Sequence, residues 1–505
     1  MNTIRDLLAS GMPDAPAIAA PDSEPCTFAD LMDQVERTVG QLNAFGVTTA
    51  DRAAIVLPNG PEMAAAFVSI ACGTTTAPLN PGYREDEFEF YLSDLDPKVL
   101  VVETGSVSPA RAVAERLDIR TLEIAPHSSG RAGLFDFADA PVPVTPGYGT
   151  EDDVALMLHT SGTTSRPKLV PLSHRNLSTS ATNIQATLAL TPTDRCMNIM
   201  PLFHIHGLAA AILASLGAGG STYCTPGFNA LRFFAWLEDA QPTWYTAVPT
   251  MHQAILGRTA GNRAAIDAHP LRFIRSCSAA LPPQIMQAVE EAFGCPVIEA
   301  YAMTEAAHQM TSNPLPPAPR YAGSVGVAAG PEVAIMDDAG NLLGPGETGE
   351  VVIKGPNVTS GYIANPKANA EAFHHGWFRT GDQGVMDDGG YLRITGRLKE
   401  IINRGGEKIA PREIDEIILE HPAVDQIVTF AMPHDKLGED VAAAVVLAEG
   451  ASADAAEIRA FAAERLADFK VPRKVVFVTE IPKGPTGKLQ RIGLAEQLAE
   501  ALSRS

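Results

Sequence analysis

Short apolar runs alternate with amphipathic segments through the first part of this 505-residue chain. Residues 53–57 and 99–102 have the composition of buried strands, and residues 62–71 and 87–95 have the pattern of helices. Strands that are joined through helices run parallel. The alternation therefore predicts α/β layers with largely parallel sheets. A chain of this length is too long for one hydrophobic core, and about three structural units are expected.

A loop rich in hydroxyl groups follows the apolar run at residues 154–158, and residues 159–168 read HTSGTTSRPK. Small residues allow backbone N–H groups to face an anion, hydroxyls add donors, and Lys168 adds positive charge. The pattern indicates a polyphosphate site, although a solvated surface turn has a similar composition. It is not the P-loop of nucleotide hydrolases, because the GxxxxGK[ST] spacing is absent.

Charge and cysteine usage exclude several classes of function. The net charge of −21 argues against a nucleic acid partner, which would require a basic surface. The six cysteines have no CxxC spacing, so neither a metal nor a redox framework is predicted. The most apolar stretches are shorter than the ~20 residues that cross a bilayer, and no signal segment is recognised. These features predict a cytoplasmic protein without a membrane span.

Further stretches place polar groups where a predicted strand ends. They are MPLFHIHG at residues 200–207, FIRSCSAAL at 273–281, EAYAMTE at 299–305 and WFRTGD at 377–382. The two histidines of the first stretch could ligate a metal ion, but no third ligand is spaced nearby. Small residues at 278–280 would let a flat ring approach the backbone. Taken alone, each stretch is equally consistent with a structural role, such as a satisfied core histidine or ordinary helix–strand packing.

The order TSGTT and then RPK, directly after an apolar strand, resembles the phosphate-binding signature of the adenylate-forming superfamily. This superfamily includes acyl-CoA synthetases, luciferases and peptide-synthetase adenylation domains. The resemblance extends over nearly the whole chain. It implies an α/β fold with a large N-terminal domain of layered α/β subdomains, residues 1–397, that binds ATP and the acyl group. A hinge would join it to a small, mobile α+β C-terminal domain, residues 398–505.

The resemblance also implies which residues bind ATP and its Mg²⁺ ion. It assigns the phosphates to Thr160, Ser161, Gly162, Thr163, Thr164 and Lys168. It assigns the remaining nucleotide contacts to Ser278, Ala279, Ala280, Glu299, Ala300, Tyr301, Ala302, Met303, Thr304, Asp382, Arg397 and Lys488. Within this set Tyr301 would pack on adenine, Thr304 would donate to the α-phosphate and Asp382 would accept the ribose hydroxyls. Glu305 and Thr163 would hold the metal. Ala302 replaces the usual glycine of its motif.

By the same resemblance the chain catalyses a two-step ligation. A carboxylate attacks the α-phosphate of ATP and releases pyrophosphate, and the thiol of coenzyme A then attacks the acyl-adenylate. The implied catalytic residues are Lys488, Thr304, Glu305 and the hinge residue Lys399. Gly405 and Gly406 would border the pantetheine arm of coenzyme A, since close backbone approach requires a residue without a Cβ. Without the resemblance, Arg397, Lys399 and Lys488 would be ordinary solvated charges.

The acid substrate is predicted from finer detail. Several stretches resemble the oxalate–CoA ligase branch: HTSGTTSRPK, MPLFHIHG, TWYTAVPT, SCSAAL, EAYAMTEAAHQM and INRGGEKI. Leu169, where most members carry glycine, is expected to be a local loop variation. A second carboxylate in the acyl pocket needs polar partners, and the candidates that would line that pocket are His204, His206, Ser278 and His308. The alternatives are a ligase for another short-chain, medium-chain or aromatic acid, an enzyme that loads a carrier protein, and a non-catalytic nucleotide-binding protein.

Overall fold

The computed structural model describes residues 1–160, 167–482 and 491–504. The described chain forms two compact units. The first unit contains residues 1–160, 168–333 and 353–372, and the second contains residues 334–352 and the described residues from 373 onward. In the described part of the chain, no helix combines the length and the apolar character needed to cross a membrane.

Strands occur in both units, and in most of the first unit they lie between helices. In chain order they are β1 (Pro16–Ala20), β2 (Ser23–Thr27), β3 (Arg52–Val56), β4 (Thr75–Pro78), β5 (Val99–Glu103), β6 (Arg120–Pro126), β7 (Phe135–Phe137), β8 (Val154–His159), β9 (Leu169–Ser173), β10 (Arg195–Asn198), β11 (Ser221–Cys224), β12 (Trp244–Ala247), β13 (Phe273–Ser276), β14 (Val297–Met303), β15 (His308–Ser312), β16 (Val327–Ala328), β17 (Glu332–Met336), β18 (Thr348–Lys354), β19 (Phe373–His374), β20 (Trp377–Met386), β21 (Leu392–Arg397), β22 (Ile402–Arg404), β23 (Glu407–Ile409), β24 (Val424–His434), β25 (Gly438–Leu447) and β26 (Lys474–Phe477).

The helices connect these strands. In chain order they are α1 (Ile4–Leu8), α2 (Phe28–Ala44), α3 (Pro61–Ala71), α4 (Glu85–Leu95), α5 (Pro109–Arg116), α6 (His174–Thr187), α7 (Ala214–Gly217), α8 (Phe233–Ala240), α9 (Pro249–Leu256), α10 (Arg263–Ala268), α11 (Pro283–Phe293), α12 (Pro366–Ala372), α13 (Pro411–Ile418), α14 (Ala455–Ala463), α15 (Leu494–Gln497) and α16 (Ala499–Arg504). A π-helix spans His206–Leu213, and short 3₁₀ turns include Thr304–Ala306 and Leu398–Glu400.

Two mainly parallel sheets form the first unit. Among the described residues, the first sheet has nine strands in the order β16-β15-β14-β13-β12-β10-β11-β1-β2, and the second has seven in the order β7-β6-β5-β3-β4-β8-β9. Their central strands pair in parallel, and antiparallel strands close the edges. Strands such as β5 are buried along four consecutive residues. A continuous apolar run of this kind is typical of a strand covered by helices on both faces.

Helix boundaries follow local chemistry. Thr27 and Ser173 cap α2 and α6, each through a reciprocal pair of hydrogen bonds with the residue three positions later. Proline occupies the first turn of α3, α9 and α11, where its missing N–H has no intrahelical partner to lose. The two mainly parallel sheets and the helices that connect their strands confirm the α/β class predicted from the alternation.

The second unit is smaller and mixed. One of its sheets has the order β17-β18-β20-β19, with β21 paired to β20, and the other has the order β23-β22-β25-β24, with β26 paired to β25. The β22–β23 hairpin turns at Gly405 and Gly406, whose φ angles are +61° and +104°. Positive φ at both central residues is the requirement of the tight hairpin turns that favour glycine. The INRGGEKI stretch therefore forms a strand, a glycine turn and a second strand.

Candidate active site

The carboxyl ends of three neighbouring strands of the first sheet lie in register. Ala247 at the end of β12 pairs with Ser276 at the end of β13, and Ser276 pairs with Glu299 of β14. Loops that leave adjacent parallel strands at one edge form the usual ligand crevice of such sheets. The predicted site stretch at residues 200–207 follows β10, and those at 273–281 and 299–305 begin within β13 and β14 and continue past their ends.

Glu299 shapes the turn that follows β13. Its side chain is buried, and its Oε1 accepts a hydrogen bond from the Leu281 backbone N–H at 3.0 Å. Ser278 adopts φ +75°, which bends the backbone sharply before the exposed Ala279 and Ala280. A non-glycine residue in this region is uncommon and indicates that the surrounding contacts hold the turn in place.

The four predicted acyl-pocket residues come together. His206, at the start of the π-helix, is completely buried, and its Nδ1 lies 3.0 Å from Ser278 Oγ. The His206 backbone N–H donates to His204 Nδ1 at 3.3 Å. The imidazole rings of His206 and His308 have centroids 5.0 Å apart. These residues therefore form one polar cluster.

Thr246, which the sequence analysis did not select, completes this cluster. Its Oγ1 lies 2.6 Å from His206 Nε2, so both ring nitrogens of His206 face hydroxyl groups. A hydroxyl both donates and accepts, so this arrangement accommodates either tautomer or the protonated ring. The stretch TWYTAVPT contains Thr246, but only the pairing of β12 with β10 and β13 brings it toward His206.

The EAYAMTE stretch is mostly strand. β14 continues through Ala300, Tyr301, Ala302 and Met303, whereas the sequence suggested that the strand ends at residue 298. The extension occurs because β15 pairs with it antiparallel, with Tyr301 opposite Thr311 and Met303 opposite His308. Thr304 and Glu305 then form a 3₁₀ turn. The chain reverses at Ala307 and His308, which have φ +49° and +105°.

Glu305 is buried beside a tyrosine that the sequence analysis missed. The Tyr362 hydroxyl donates to Glu305 Oε1 at 2.9 Å, and the Lys168 Nζ lies 4.4 Å from the centroid of the Tyr362 ring. Burial, together with the adjacent Glu305 carboxylate, raises the pKa of Tyr362 far above its usual value. The phenol therefore stays protonated and remains a donor. Tyr362 lies more than fifty residues beyond Glu305, so local sequence gives no signal for this contact.

Two hydrogen bonds between Thr160 and Lys168 join the two ends of the hydroxyl-rich loop. The Thr160 backbone N–H donates to the Lys168 carbonyl at 2.9 Å, and the Lys168 N–H lies 3.3 Å from Thr160 Oγ1.

The expectation that Leu169 is a loop variation is wrong, because it is a buried residue that starts β9 and pairs with His159. Ser161, Gly162, Thr163 and Thr164 lie outside the described residues.

The remaining predicted residues belong to the second unit. Asp382 of β20 pairs with Arg397 of β21, and Arg397 Nε lies 3.0 Å from Asp382 Oδ1. Lys399 lies in the 3₁₀ turn that follows. Gly405 and Gly406 form the hairpin turn already described. Lys488 lies outside the described residues.

The donor set around Glu305 suits a hard cation brought by a nucleotide. In the described ranges, no group of three or more His, Cys, Asp or Glu side chains is arranged as a complete metal site. Mg²⁺ is usually held by one or two carboxylates, with phosphates and waters as its other ligands. A single buried carboxylate, which Tyr362 links to Lys168, fits that pattern without a dedicated protein cage.

The first unit has parallel sheets with hydroxyl, carboxylate and histidine groups at their strand ends, and a smaller α+β unit follows in the chain. This combination is that of the class of adenylate-forming enzymes. The chain belongs to the AMP-binding enzyme family. The family pattern of AMP-binding enzymes matches residues 8–363, and that of the AMP-binding enzyme C-terminal domain matches residues 413–488.

Relatives match along almost their full length. An oxalate–CoA ligase of Arabidopsis thaliana is 45% identical over 98% of this chain and 97% of its own. An oxalate–CoA ligase of Saccharomyces cerevisiae is 43% identical over 89% of this chain and 87% of its own. The crystal structure of ATP-bound MatB from Rhodopseudomonas palustris superposes with a TM-score of 0.88 at 30% identity, covering 98% of this chain and 99% of that one.

Proposed function

We propose that the protein is an AMP-forming acid–CoA ligase that converts oxalate to oxalyl-CoA, with release of AMP and pyrophosphate. The observation that carries the choice of acid is the cluster of the buried His206, Thr246 and His308 with the half-buried Ser278. A long alkyl or aromatic acid needs an apolar pocket. A second carboxylate needs hydrogen-bond donors in the same place. Similarity to oxalate–CoA ligases over nearly the whole chain supports the same substrate.

The nucleotide is proposed to lie at the strand ends of the first sheet, with its phosphates at the connection between β8 and β9 of the second sheet. Thr160, Lys168 and the loop between them would hold the β- and γ-phosphates. Tyr301 would pack on adenine, with Ser278, Ala279, Ala280 and the β14 stretch Glu299 to Met303 around it. Thr304 would donate to the α-phosphate. Asp382 would accept the ribose hydroxyls, with Arg397 beside it, because a carboxylate is well suited to accept both hydroxyls of a diol.

The metal is proposed to be Mg²⁺, held by Glu305 and Thr163 together with the phosphates of ATP. When bound, it would supply neutralisation of the negative charge on the phosphates. The chain's own residues position the reactants. Tyr362 donates to Glu305, Thr304 lies in the same 3₁₀ turn, and Lys168 lies over the Tyr362 ring. Positioning and electrostatic stabilisation are the main sources of catalysis in phosphoryl-centre chemistry.

The first step is in-line attack of an oxalate oxygen on the α-phosphorus of ATP. The new O–P bond forms as the bond to the bridging oxygen breaks and pyrophosphate leaves. We assign Lys488 to the charge that develops on the bridging oxygen. In the second step the coenzyme A sulfur forms a bond to the acyl carbon, the thiol proton passes to solvent, and AMP departs as the bond from the acyl carbon to its phosphate oxygen breaks. Gly405 and Gly406 would border the pantetheine arm.

We place the domain boundary at the hinge, with residues 1–397 as the adenylation domain and residues 398–505 as a mobile C-terminal domain. Lys399 would be the hinge residue. The C-terminal domain would contribute Lys488 to the first step and the Gly405–Gly406 turn to the second. Small molecules are the proposed partners, with no nucleic acid among them, and the cytoplasm is the proposed location.

The experiment is a substrate panel with product analysis. Pyrophosphate release should be fastest with oxalate among two- to six-carbon monoacids and diacids and cinnamates. The nucleotide product should be AMP, and oxalyl-CoA should appear only when coenzyme A is present. Preference for hexanoate or coumarate would overturn oxalate as the substrate. Transfer to a carrier protein in place of coenzyme A, or no nucleotide turnover with any acid, would favour the loading enzyme or the non-catalytic alternative.

A further inference from the structure

We propose that Tyr362 is a positioning residue of the nucleotide site. Its hydroxyl orients the Glu305 carboxylate toward the divalent cation of the nucleotide, and its ring supports the Lys168 ammonium. This inference rests on the proposed function, because the orientation of Glu305 matters only if Glu305 binds that cation. Tyr362 lies in the segment after β18, which is not among the stretches selected in the sequence analysis.

Tyr362 contacts two proposed nucleotide groups at once. Its hydroxyl lies 2.9 Å from Glu305 Oε1, and its ring centroid lies 4.4 Å from Lys168 Nζ. The tyrosine is 7% exposed, so these contacts are made largely out of water. A donor fixed on Oε1 restricts rotation of the carboxylate and sets the direction of its second oxygen. The face of an aromatic ring attracts an ammonium group.

The backbone of Tyr362 is itself fixed. Its N–H donates to Asn369 Oδ1 at 2.7 Å, and Asn369 Nδ2 donates back to the Tyr362 carbonyl at 3.0 Å. Just before it, Thr359 donates through its N–H to the Glu305 carbonyl and through its Oγ1 to the Pro171 carbonyl, both at 2.7 Å. The segment is therefore bonded both to the turn that carries Glu305 and to β9, which follows the phosphate loop.

This arrangement connects the two sheets of the first unit at one point. β9 belongs to the second sheet, and the Glu305 turn follows β14 of the first sheet. Tyr362 thus fixes the distance between the lysine at the base of the phosphate loop and the buried carboxylate. Residues that orient a metal ligand typically change metal affinity by about 10–100-fold when they are altered.

The test uses Tyr362→Phe, which removes only the hydroxyl and keeps the ring under Lys168. Mn²⁺ is titrated into protein and ATP without acid or coenzyme A, and free Mn²⁺ is followed by electron paramagnetic resonance. The expected result is an apparent Kd for Mn²⁺ about 10-fold higher than in the wild type. The Mg²⁺ concentration for half-maximal pyrophosphate release should rise in parallel, with kcat largely restored at saturating Mg²⁺.

Tyr223→Phe is the matched control, because the Tyr223 hydroxyl also donates to a carboxylate, that of Asp239. Its strand, β11, is separated from β14 by β10, β12 and β13. Both variants lose a phenol–carboxylate bond, but only Tyr362→Phe should change the Mn²⁺ affinity.

Asn369→Ala provides a second variant, which displaces the Tyr362 backbone and should weaken Mn²⁺ binding in the same direction. Unchanged Mn²⁺ affinity in Tyr362→Phe would overturn the inference, as would an equal loss in Tyr223→Phe. The outcome is separable from the proposed function, because AMP formation and the acid preference are both measured on the wild type and neither result depends on Tyr362. If AMP forms and Glu305→Gln binds Mn²⁺ as the wild type does, the role of Tyr362 is wrong while the ligase activity stands.

Discussion

His206 Nδ1 and Ser278 Oγ lie 3.0 Å apart and join the first turn of the π-helix to the strained turn after β13. Neither element alone would present a polar group in a fixed direction. His206 is a buried residue of the π-helix, and the positive φ of Ser278 directs the Ser278 hydroxyl toward the His206 ring. A π-helical turn is frequently associated with a functional site.

Ser278→Ala should lower kcat/KM for oxalate by about 10-fold or more, because a hydrogen bond to a charged group contributes about 1.5–3 kcal/mol. The kcat/KM for hexanoate should change much less, since a monoacid has no second carboxylate to bind. Pyrophosphate release with each acid measures both values.

Ser276→Ala is the control for this prediction. Ser276 lies two residues earlier at the end of β13, is fully buried, and has no hydrogen-bond partner for its hydroxyl among the described residues. It should leave the oxalate preference intact. An equal loss for both acids in Ser278→Ala would contradict a role in recognising the distal carboxylate.

Lys488→Ala and Gly406→Leu should separate the two half-reactions. Loss of the Lys488 charge should abolish formation of the acyl-adenylate, yet thioester formation from supplied oxalyl-AMP should persist. Gly406→Leu should retain ATP–pyrophosphate exchange and lose thioester formation. Exchange of labelled pyrophosphate and coupling of synthetic adenylate to coenzyme A measure the two steps independently.

Gly406 has φ +104°, and within the described ranges no atom beyond its chain neighbours lies within 4 Å of the position that a Cβ would take, so a side chain there strains the backbone without a clash. Gly450→Leu is a matched control, because Gly450 has φ +77° and equally open surroundings in the loop after β25. It should carry similar strain and keep both half-reactions. If Lys488→Ala and Gly406→Leu impaired both steps equally, the assignment of one step to each residue would be wrong.

Much of the fold was predictable because it depends on local pattern. The apolar runs at β3, β5 and β8 and the proline-started helices follow from residues close in sequence. The candidate site was less predictable, since its contacts join distant segments. Tyr362 reaches Glu305 across 57 residues, and Thr246 reaches His206 across 40.

Two expectations drawn from local sequence were wrong, because pairing with another strand determined the structure at these positions. Leu169 is a strand residue because β8 supplies an antiparallel partner, and β14 is longer than its apolar run because β15 pairs with its polar end. In both cases inter-strand hydrogen bonds outweigh the local preference for a turn, as tertiary context commonly does in sheets. The motif resemblance selected His206 and Glu305 but not Thr246 and Tyr362, which contact them.

Arg491→Met should destabilise the second unit by about 3 kcal/mol. Arg491 forms ion pairs with Asp415 at 2.6 Å and Glu400 at 3.2 Å and donates to the Thr429 carbonyl at 2.8 Å. Its removal would leave two mostly buried carboxylates without their cation, which is costly. Limited proteolysis and thermal melting should both show the loss.

Arg473→Met is the comparison for Arg491→Met. Arg473 lies 3.5 Å from Asp440, but its side chain is 57% exposed. Only the Arg473 end of this pair is exposed, and the buried Asp440 keeps Arg404 at 2.7 Å, so this variant should lose about 1 kcal/mol or less and melt close to the wild type. Equal destabilisation by the two substitutions would show that burial of the Arg491 network does not determine its contribution.

Stability should fall below neutral pH partly through His252 in the first unit. Burial lowers the pKa of His252 from 6.5 to about 3, and its Nδ1 lies 3.3 Å from the Tyr245 hydroxyl. The folded state keeps the ring neutral, while the unfolded chain takes up a proton below pH 6.5. The contribution is therefore complete above pH 6.5 and is lost progressively as the pH falls toward 3.

Each pH unit in that window costs about 1.4 kcal/mol, so the loss from this group between pH 6.5 and 5 is about 2 kcal/mol. His252→Leu removes the titration at the cost of the Tyr245 contact, so it should be less stable at pH 7 but lose less on acidification. Urea unfolding at pH 7 and pH 5 gives the comparison. His174, whose pKa burial lowers to about 4, titrates equally in both proteins and cancels from the difference. The same acid-induced loss in wild type and His252→Leu would mean that His252 takes up its proton without unfolding.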